Sequence, residues 1–229
     1  MVPLTEHLRP RAPLWFPPAD SADEDGLVAV GGDLSPERLL LAYDSGIFPW
    51  YDQGLPPLWW SPDPRTVVDA AHLHVSKSLA RTLRRGRFAL TFDRAFAEVV
   101  RGCAEGRRGG TWIIPAMRTA YERLHRLGHA HSVEAWDGDA LVGGLYGVHR
   151  GGLFAAESMF HRATDASKVA LVAAVRSMFR AGIEVFDVQM TTPHLAGLGA
   201  EEWPRARYLR RVAQVRATPV PLDGLVIRP

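Results

Sequence analysis

The segment from residue 130 to residue 190 restricts the fold more than any other part of the chain, because it contains several regular elements in close succession. Three strand patterns come first, joined only by the short turns "DGD" and "HRGG": "HSVEAW", "ALVGGLYGV" and "LFAAESMF". A long helix, "ASKVALVAAVRSMFRAG", and a further strand, "IEVFDVQM", follow them. Short turns make the first three strands antiparallel neighbours, and a helical crossover makes the last strand parallel to its neighbour. The segment therefore predicts a mixed sheet with helices.

Earlier elements extend this pattern towards the N-terminus. They are the strand "RFALTF" and the helices "DRAFAEVVRGCAE" and "IPAMRTAYERLHRLG". In the first of these helices, Phe96, Val99, Val100 and Cys103 recur at the spacing of one buried helix face. The complete order, β-α-α-β-β-β-α-β, is that of the GNAT-type acetyltransferase fold. The sequence therefore predicts an α+β protein with a GNAT-like C-terminal domain.

The residues before these elements differ in composition, being rich in proline, glycine and tryptophan. Their one clear helix pattern, "LSPERLLLAYDSG", has Ser35 as its N-cap and Gly46 at its end. We therefore predict a small N-terminal domain, residues 1–63, followed by the GNAT-like domain, residues 64–229. The stretch "GIFPWYDQGLPPLWWSPDPR" places aromatic residues on irregular backbone, where they either hold the small domain together or bind a flat ligand.

Composition excludes several kinds of site and leaves two basic segments to explain. The single cysteine, Cys103, excludes an internal disulfide and a cysteine-based metal cluster, and it favours the cytoplasm. The N-terminal stretch has no apolar core of signal-peptide length, and the longest aliphatic run, "VALVAAV", is far too short to span a bilayer, which predicts a protein without a membrane partner. The net charge of +2 does not indicate a nucleic-acid binder. However, "KSLARTLRRGR" and "RARYLRRVAQVR" contain five basic residues each and no acid.

The first basic segment predicts a helix that begins after Ser76 and ends at Gly86. Four of its cations lie on one stripe of that helix: Lys77, Arg81, Arg84 and Arg85. This stripe is either the solvated face of an amphipathic helix or a surface that follows a phosphate backbone. His125 and His129 lack the glutamate of a zinc-protease motif, so we interpret them as structural.

The loop before the long helix, "HRATDASK", contains no glycine. In GNAT-type folds the corresponding glycine-rich loop holds the pyrophosphate of acetyl-CoA, so this loop indicates a different acyl donor. Asp187 and Gln189 share a strand face by alternation, and Glu157 lies on the expected neighbouring strand. Because a lone carboxylate is costly in the apolar segment around Glu157, these three residues are the candidate chemical groups. A structural strand-end carboxylate is the alternative for Asp187.

Several unusual strings together resemble the leucyl/phenylalanyl-tRNA–protein transferase family, over about residues 13 to 211. They are "DGLVAVGGDLSPERLLLAYDSGIFPWY", "LWWSPDPR", "GTWI", "HSVEAW", "LVGGLYGV", "ESMFHRATDASK" and "FDVQM…HLAGLGA". The resemblance implies a bacterial enzyme that moves Leu or Phe, and less well Met, from aminoacyl-tRNA to the N-terminal amine of proteins beginning with Arg or Lys. The product is then degraded. The resemblance also implies a GNAT-like C-terminal domain and no use of a metal or coenzyme A.

The resemblance assigns roles to particular residues. The 3′-terminal adenosine of the tRNA would lie between Trp50 and Trp112 with Tyr121 nearby, while Trp59 and Trp60 would pack between the domains. The basic stripe would contact the tRNA backbone. An apolar pocket for the Leu or Phe side chain would be formed by Leu145, Phe154, Met159, Leu171 and Phe186.

The expected chemistry is the attack of a neutral amine on an ester that is already activated, so alignment is the main task. Asp187 and Gln189 would hold the amine, with Asp187 drawing off proton density because an amide is barely basic. Glu157 would orient the ribose or meet the cationic acceptor side chain. The family usually has glycine and serine where this chain has Ala156 and His161, and the methyl group of Ala156 would narrow the site or shift aminoacyl preference.

Other classes of function fit the sequence less well. A CoA-dependent N-acetyltransferase is disfavoured by "HRATDASK", and a non-catalytic RNA-binding or degradation adaptor by the intact set of Glu157, Asp187 and Gln189. A double-GNAT cell-wall aminoacyltransferase would need two such domains. The sequence has no long apolar stripe of the kind that an oligomer buries, which favours a monomer.

Overall fold

The computed structural model describes residues 6–8, 13–105 and 110–228. Its N-terminal part contains a four-stranded sheet in the order β1-β2-β4-β3. The strands are β1 (Glu6–Leu8), β2 (Leu27–Gly31), β3 (Phe48–Pro49) and β4 (Leu58–Trp60). Helix α1 (Pro36–Asp44) lies between β2 and β3, and the Ser35 side chain accepts a hydrogen bond from the Arg38 N–H, as the cap prediction requires.

A seven-stranded mixed sheet in the order β11-β5-β10-β9-β8-β7-β6 forms the second part. Its strands are β5 (Arg65–Val68), β6 (Ala89–Phe92), β7 (Ala130–Asp137), β8 (Ala140–Arg150), β9 (Leu153–His161), β10 (Val185–Gln189) and β11 (Ala200–Trp203). β10 is parallel to β9, and the other neighbours are antiparallel. The predicted order of elements is confirmed, as is the α+β class.

Helices cover both faces of this sheet. They are α2 (Lys77–Arg85), α3 (Phe96–Ala104), α4 (Pro115–Arg126), α5 (Ala166–Ala181), α6 (Pro193–Ala196) and α7 (Arg205–Val215). The crossover helix α5 is apolar almost all round, and its central residues from Val169 to Val175 are completely buried on one face of the sheet. None of the described helices is long and apolar enough to cross a lipid bilayer.

The N-terminal part and the second sheet share one hydrophobic core. Tyr43 of α1 and Trp59 of β4 belong to the same buried cluster as Val99 of α3, Tyr121 of α4 and Tyr146 of β8. Cys103 is buried in this cluster too, as its helical spacing predicted. The two parts of the chain are therefore packed against each other through apolar side chains, although the boundary near Asp63 stays a prediction.

The middle of the sheet opens at the ends of β9 and β10. Their parallel pairing stops at Asp187 and Ala155. Beyond that point, a register shift between β8 and β9 leaves Glu157 of β9 without a paired residue on β8. A second register shift, between β10 and β5, leaves Val188 of β10 without a paired residue on β5. Gln189 has a φ angle of 61°, a left-handed conformation uncommon for residues other than glycine. Simple strand alternation, which predicted equivalent positions for Asp187 and Gln189, therefore fails at this strand end.

Candidate active site

A cavity of about 400 Å³ lies where β9 and β10 separate. One wall comes from the second sheet and its helices, and it is formed mainly by apolar side chains: Leu145, Ala156, Met159, Leu171, Val188 and Leu195. The facing wall comes largely from the N-terminal part and contains Phe48, Pro49, Trp50 and Trp112. A few polar groups interrupt these walls, among them Glu157 and Gln189. An apolar hollow with few polar groups is typical of a small-ligand site.

Two tryptophans lie at the cavity as the sequence predicted. Trp50 is 40% exposed, although its backbone N–H donates to the Leu58 carbonyl oxygen at 3.0 Å and its own carbonyl accepts from the Trp60 indole at 2.6 Å. The Trp50 and Trp60 rings meet edge-on with centroids 6.0 Å apart. Trp112 is partly buried. The Trp50 ring is thus held in place while much of its surface stays accessible for stacking.

Trp59 belongs to the hydrophobic cluster that the two parts share, and Trp60 packs against it, but the directed contacts of both residues are local. The Trp59 indole donates to the Gly31 carbonyl oxygen at 2.8 Å, and its ring meets Phe16 edge-on at 4.8 Å. Trp60 donates to Trp50, as described above. These directed contacts lie within the N-terminal part, because β4 is the central strand that pairs with both β2 and β3. The two residues therefore order the small sheet and support Trp50.

Glu157 is the carboxylate that faces the cavity. Its Oε2 accepts a hydrogen bond from the Tyr121 hydroxyl at 2.8 Å, and its Oε1 accepts a long one from the Gln189 amide at 3.4 Å. Burial raises the pKa of Glu157 from 4.5 to about 7, although the hydroxyls of Tyr121 and Tyr43 lower it. A carboxyl group with this pKa can both accept and return a proton near neutral pH.

Asp187 lies behind the cavity and does not line it. Its carboxylate accepts two hydrogen bonds from Arg65, at 2.9 and 2.7 Å, and one from the Tyr208 hydroxyl at 2.8 Å. It also accepts the backbone N–H of Gln189 at 2.9 Å, which holds that residue in its left-handed conformation. Asp187 is completely buried and its carboxylate is fully hydrogen-bonded. It is therefore an anchor for Gln189.

Arg65 extends this anchor into both parts of the chain. Its guanidinium lies between the rings of Phe48 and Tyr208, 4.7 and 4.5 Å from their centroids, and donates to the Gly46 carbonyl oxygen. Phe48 also lines the cavity. Sequence reasoning missed Arg65, Tyr208 and Phe48, although Arg65 and Phe48 lie within the stretch from 46 to 65 that drew attention for its aromatics.

The predicted aminoacyl pocket is found in part. Leu145, Met159 and Leu171 line the cavity, as does Ala156. Phe154 and Phe186 do not line it, and their rings pack against each other with centroids 5.2 Å apart. Tyr121 is fully buried, so it supports Glu157 instead of contacting an adenosine directly. The additional apolar lining comes from residues that the sequence did not single out: Phe48, Pro49, Val188, Met190 and Leu195.

The two basic segments differ in what their arginines contact. All four cations of the predicted stripe on α2 are exposed, and the described residues supply no carboxylate within ion-pair distance of them. On α7, by contrast, Arg205 donates to the Ser61 carbonyl oxygen, Arg211 pairs with Glu184, and Arg216 donates to the Asp44 carbonyl oxygen. The α2 stripe therefore presents four exposed cations with no acidic partner in the described part of the chain, whereas three arginines at α7 make contacts within the protein.

The histidine pair gives no metal site. His125 Nδ1 is 2.8 Å from the Ala130 carbonyl oxygen, and its ring stacks on Phe96 with centroids 4.2 Å apart. Burial, followed by the positive charge of Arg150, lowers the pKa of His129. Within the ranges that the structure describes, no group of three or more His, Cys, Asp or Glu side chains is arranged to hold a metal ion.

Comparison with known proteins decides the family. A family model described as leucyl/phenylalanyl-tRNA protein transferase matches residues 67–213, and the model of its N-terminal domain matches residues 32–63. The chain belongs to the leucyl/phenylalanyl-tRNA–protein transferase family. Both matched ranges contribute to the cavity, since Trp50 lies in the first domain and Glu157 and Gln189 in the second.

Individual relatives support the same membership of this family. A leucyl/phenylalanyl-tRNA–protein transferase of Anaeromyxobacter sp. (strain Fw109-5) is 58% identical over 207 residues, which are 89% of this chain and 88% of the relative. The one of Syntrophobacter fumaroxidans is 59% identical, over 88% of this chain and 87% of the relative. The solved structure of L-PGS from Bacillus licheniformis aligns with 76% of this chain and 51% of its own, at a TM-score of 0.34 and 13% identity. That last similarity is too loose to bear on function.

Proposed function

We propose that this protein transfers Leu or Phe, and less well Met, from aminoacyl-tRNA to the N-terminal amine of proteins that begin with Arg or Lys. The transfer would mark those proteins for degradation, and we expect it to occur in the cytoplasm. The observation that carries the proposal is the meeting of two features in one cavity: the Trp50 and Trp112 side chains at its wall and the Glu157–Gln189 pair at the sheet opening.

The walls of the cavity suit the aminoacyl end of a charged tRNA. A terminal adenine would stack on Trp50 and Trp112, since base stacking on an aromatic ring tolerates any base. The Leu or Phe side chain would enter the apolar wall formed by Leu145, Met159 and Leu171. The exposed cations of α2 would follow the tRNA backbone, because phosphate contacts position a nucleic acid without reading its sequence.

Chemistry at this site is the aminolysis of an ester. The attacking α-amine must be neutral, and an α-amine with a pKa of about 7.7–8.0 is partly neutral at physiological pH. Gln189 donates its amide N–H towards Glu157, which leaves its amide oxygen to accept a hydrogen bond from the amine. The sequence suggested that Asp187 draws off the proton of the amine. Because Asp187 instead accepts the backbone N–H of Gln189 behind the cavity, we propose that Asp187 positions Gln189.

Two other functions can be distinguished from this one by experiment. A CoA-dependent N-acetyltransferase would bind acetyl-CoA, and a non-catalytic adaptor would bind tRNA without transfer. The cavity speaks against an adaptor, because a protein that only binds RNA has no use for a partly buried carboxylate beside an apolar pocket.

The decisive experiment mixes the purified protein with radiolabelled Phe-tRNA and a peptide that begins with Arg, with an Ala-initial peptide as the matched control. We expect label on the Arg-initial peptide alone, without added coenzyme A. Label on both peptides would refute the acceptor preference, and tRNA binding without transfer would favour the adaptor. In the latter case an Ala156→Gly variant shows whether the methyl group at the cavity wall is what blocks the donor.

A further inference from the structure

A buried chain of hydroxyl groups leads from the N-terminal part to the cavity. The Tyr43 hydroxyl of α1 is 2.8 Å from the Tyr121 hydroxyl of α4, and Tyr121 donates to Glu157 Oε2 at 2.8 Å. When Glu157 is ionised and Tyr121 donates to it, the single proton of the Tyr121 hydroxyl is used, and Tyr43 is then the donor to Tyr121. Both tyrosine side chains are at most 1% exposed. Two helices, α1 and α4, thus support one carboxylate oxygen of Glu157.

Both phenols stay protonated near neutral pH. Burial, followed by the charge of Glu157, raises the pKa of Tyr43 and of Tyr121 well above 10. The two hydroxyls therefore act as fixed donors whose dipoles point towards Glu157, and successive hydrogen bonds in such a chain polarise one another. Their effect is to stabilise the ionised form of a carboxyl group that burial would otherwise keep neutral.

The remaining groups around Glu157 act in opposite directions. Asp187 of β10 raises the pKa of Glu157 by charge repulsion, and Arg65 of β5 lowers it. Gln189 donates its amide to the other carboxylate oxygen, and Tyr146 of β8 packs its ring against Tyr121 with centroids 5.4 Å apart. The pKa of about 7 is therefore the balance between burial and a small set of donors that substitution can remove one at a time.

We propose that Glu157 carries the proton of the transfer reaction, and that Tyr43 and Tyr121 are positioning residues that hold its carboxylate for this role. The inference rests on the proposed function and deepens it. In the reaction, a bond forms between the amine nitrogen and the ester carbonyl carbon, and the bond from that carbon to the ribose oxygen breaks. Glu157 takes one proton from the amine nitrogen and gives it to the departing ribose oxygen, so that it ends in its starting state.

The neighbouring polar groups are less suited to this step. The Asp187 carboxylate already accepts four hydrogen bonds and is sealed from the cavity. The Gln189 amide is barely basic. Glu157, by contrast, lines the cavity and accepts one short hydrogen bond, from Tyr121, and one long one, from Gln189. A group with a pKa near the working pH is also the most effective carrier in both directions.

The test compares Tyr43→Phe and Tyr121→Phe with the wild type in single-turnover transfer from Phe-tRNA to an Arg-initial peptide between pH 5 and pH 9. Each substitution keeps the ring and removes a donor, so the pKa of Glu157 should rise. The acidic limb of the rate profile should move to higher pH, by about one unit for Tyr121→Phe and by less for Tyr43→Phe. The acceptor amine titrates identically in every variant, so differences between profiles belong to the enzyme.

Affinity for tRNA should stay within about twofold of the wild type, and the matched control, Tyr51→Phe in the N-terminal part, should leave the profile unchanged. A uniform loss of rate at all pH values would overturn the proposal, because it is what a purely structural role predicts. An unmoved acidic limb in both variants would overturn it as well. If the wild type transferred nothing to the peptide, the proposed function itself would fail, and this outcome is distinct from the other two.

Discussion

Replacing Asp187 by asparagine keeps the size of the side chain but removes the charge that pairs with Arg65. The two side chains are 0% and 1% exposed, so the guanidinium would be left in a dry site without its counter-ion. Breaking a buried pair by neutralising one partner costs about 3–5 kcal/mol. The asparagine N–H groups would also face the Arg65 donors, so one side-chain oxygen would have to serve Arg65, Tyr208 and Gln189.

This cost predicts a large loss of stability. For a chain of this size each kcal/mol lowers the melting temperature by about 2–4 °C, so the variant should melt about 6–20 °C below the wild type. Urea unfolding should show the same loss as a lower midpoint with an unchanged slope. Transfer should slow more than tenfold even at temperatures where the variant is folded, because Gln189 is no longer held in its left-handed conformation.

The matched control is Glu184→Gln, which removes the partner of Arg211 in a surface ion pair. Exposed pairs contribute about 0–1 kcal/mol, so this variant should melt within about 4 °C of the wild type. The anchor reasoning is wrong if Asp187→Asn is as stable as the control while its single-turnover rate falls a hundredfold. That result would return Asp187 to a direct part in the chemistry.

Three further predictions concern binding and pH. Trp50→Ala should weaken binding of the aminoacylated 3′ end by about 1–3 kcal/mol, measured by titration with a charged acceptor-stem fragment, because a stacked base loses its ring. Arg81→Gln combined with Arg84→Gln should lower the slope of log affinity for tRNA against log salt by about 1.4–1.8 if both cations contact phosphates. Glu157→Gln should flatten the pH dependence of stability between about 4.5 and 7. Between these pH values the wild type loses stability as pH rises, because the Glu157 carboxyl ionises near pH 4.5 in the unfolded chain but only at about 7 in the folded protein. Thermal melts at several pH values measure this trend.

Local signals predicted the regular elements well. Ser76 caps α2 and Gly86 ends it in a left-handed conformation, as the sequence indicated. The three-stranded meander and the parallel strand after α5 also follow the sequence, because turns and the crossover helix leave few other topologies. The short strands β5 and β11 were not predicted. All four residues of β5 are buried, so its sequence, "RTVV", has no alternation of apolar and polar side chains to reveal it.

The sequence predicted a residue of the candidate site only where its side chain was chemically unusual for the local sequence around it. Glu157 was found because a carboxylate in an apolar strand needs a reason, and Gln189 because it follows on the neighbouring strand. Arg65 was not found, because its partner is 122 residues away along the chain and nothing local marks the pair. Phe154 and Phe186 were misplaced because alternation gives the face of a strand but not whether a cavity opens on it, and both lie in solid core.

The arginine-rich helices show why composition alone could not locate a nucleic-acid surface. Their counts of basic residues are the same, and neither segment contains an acid. Yet α7 uses Arg205 and Arg216 to hold carbonyl oxygens at Ser61 and Asp44, so these two guanidinium groups tie the C-terminal helix to the N-terminal part. An arginine that satisfies a carbonyl of its own chain is held in place and is less available to a phosphate. Within the described residues, the four cations of the α2 stripe make no such hydrogen bond, and like charges one turn apart on a helix repel each other weakly. The contact of α2 with the tRNA backbone therefore stays a proposal, while the hydrogen bonds of Arg205 and Arg216 join the end of the chain to the N-terminal part.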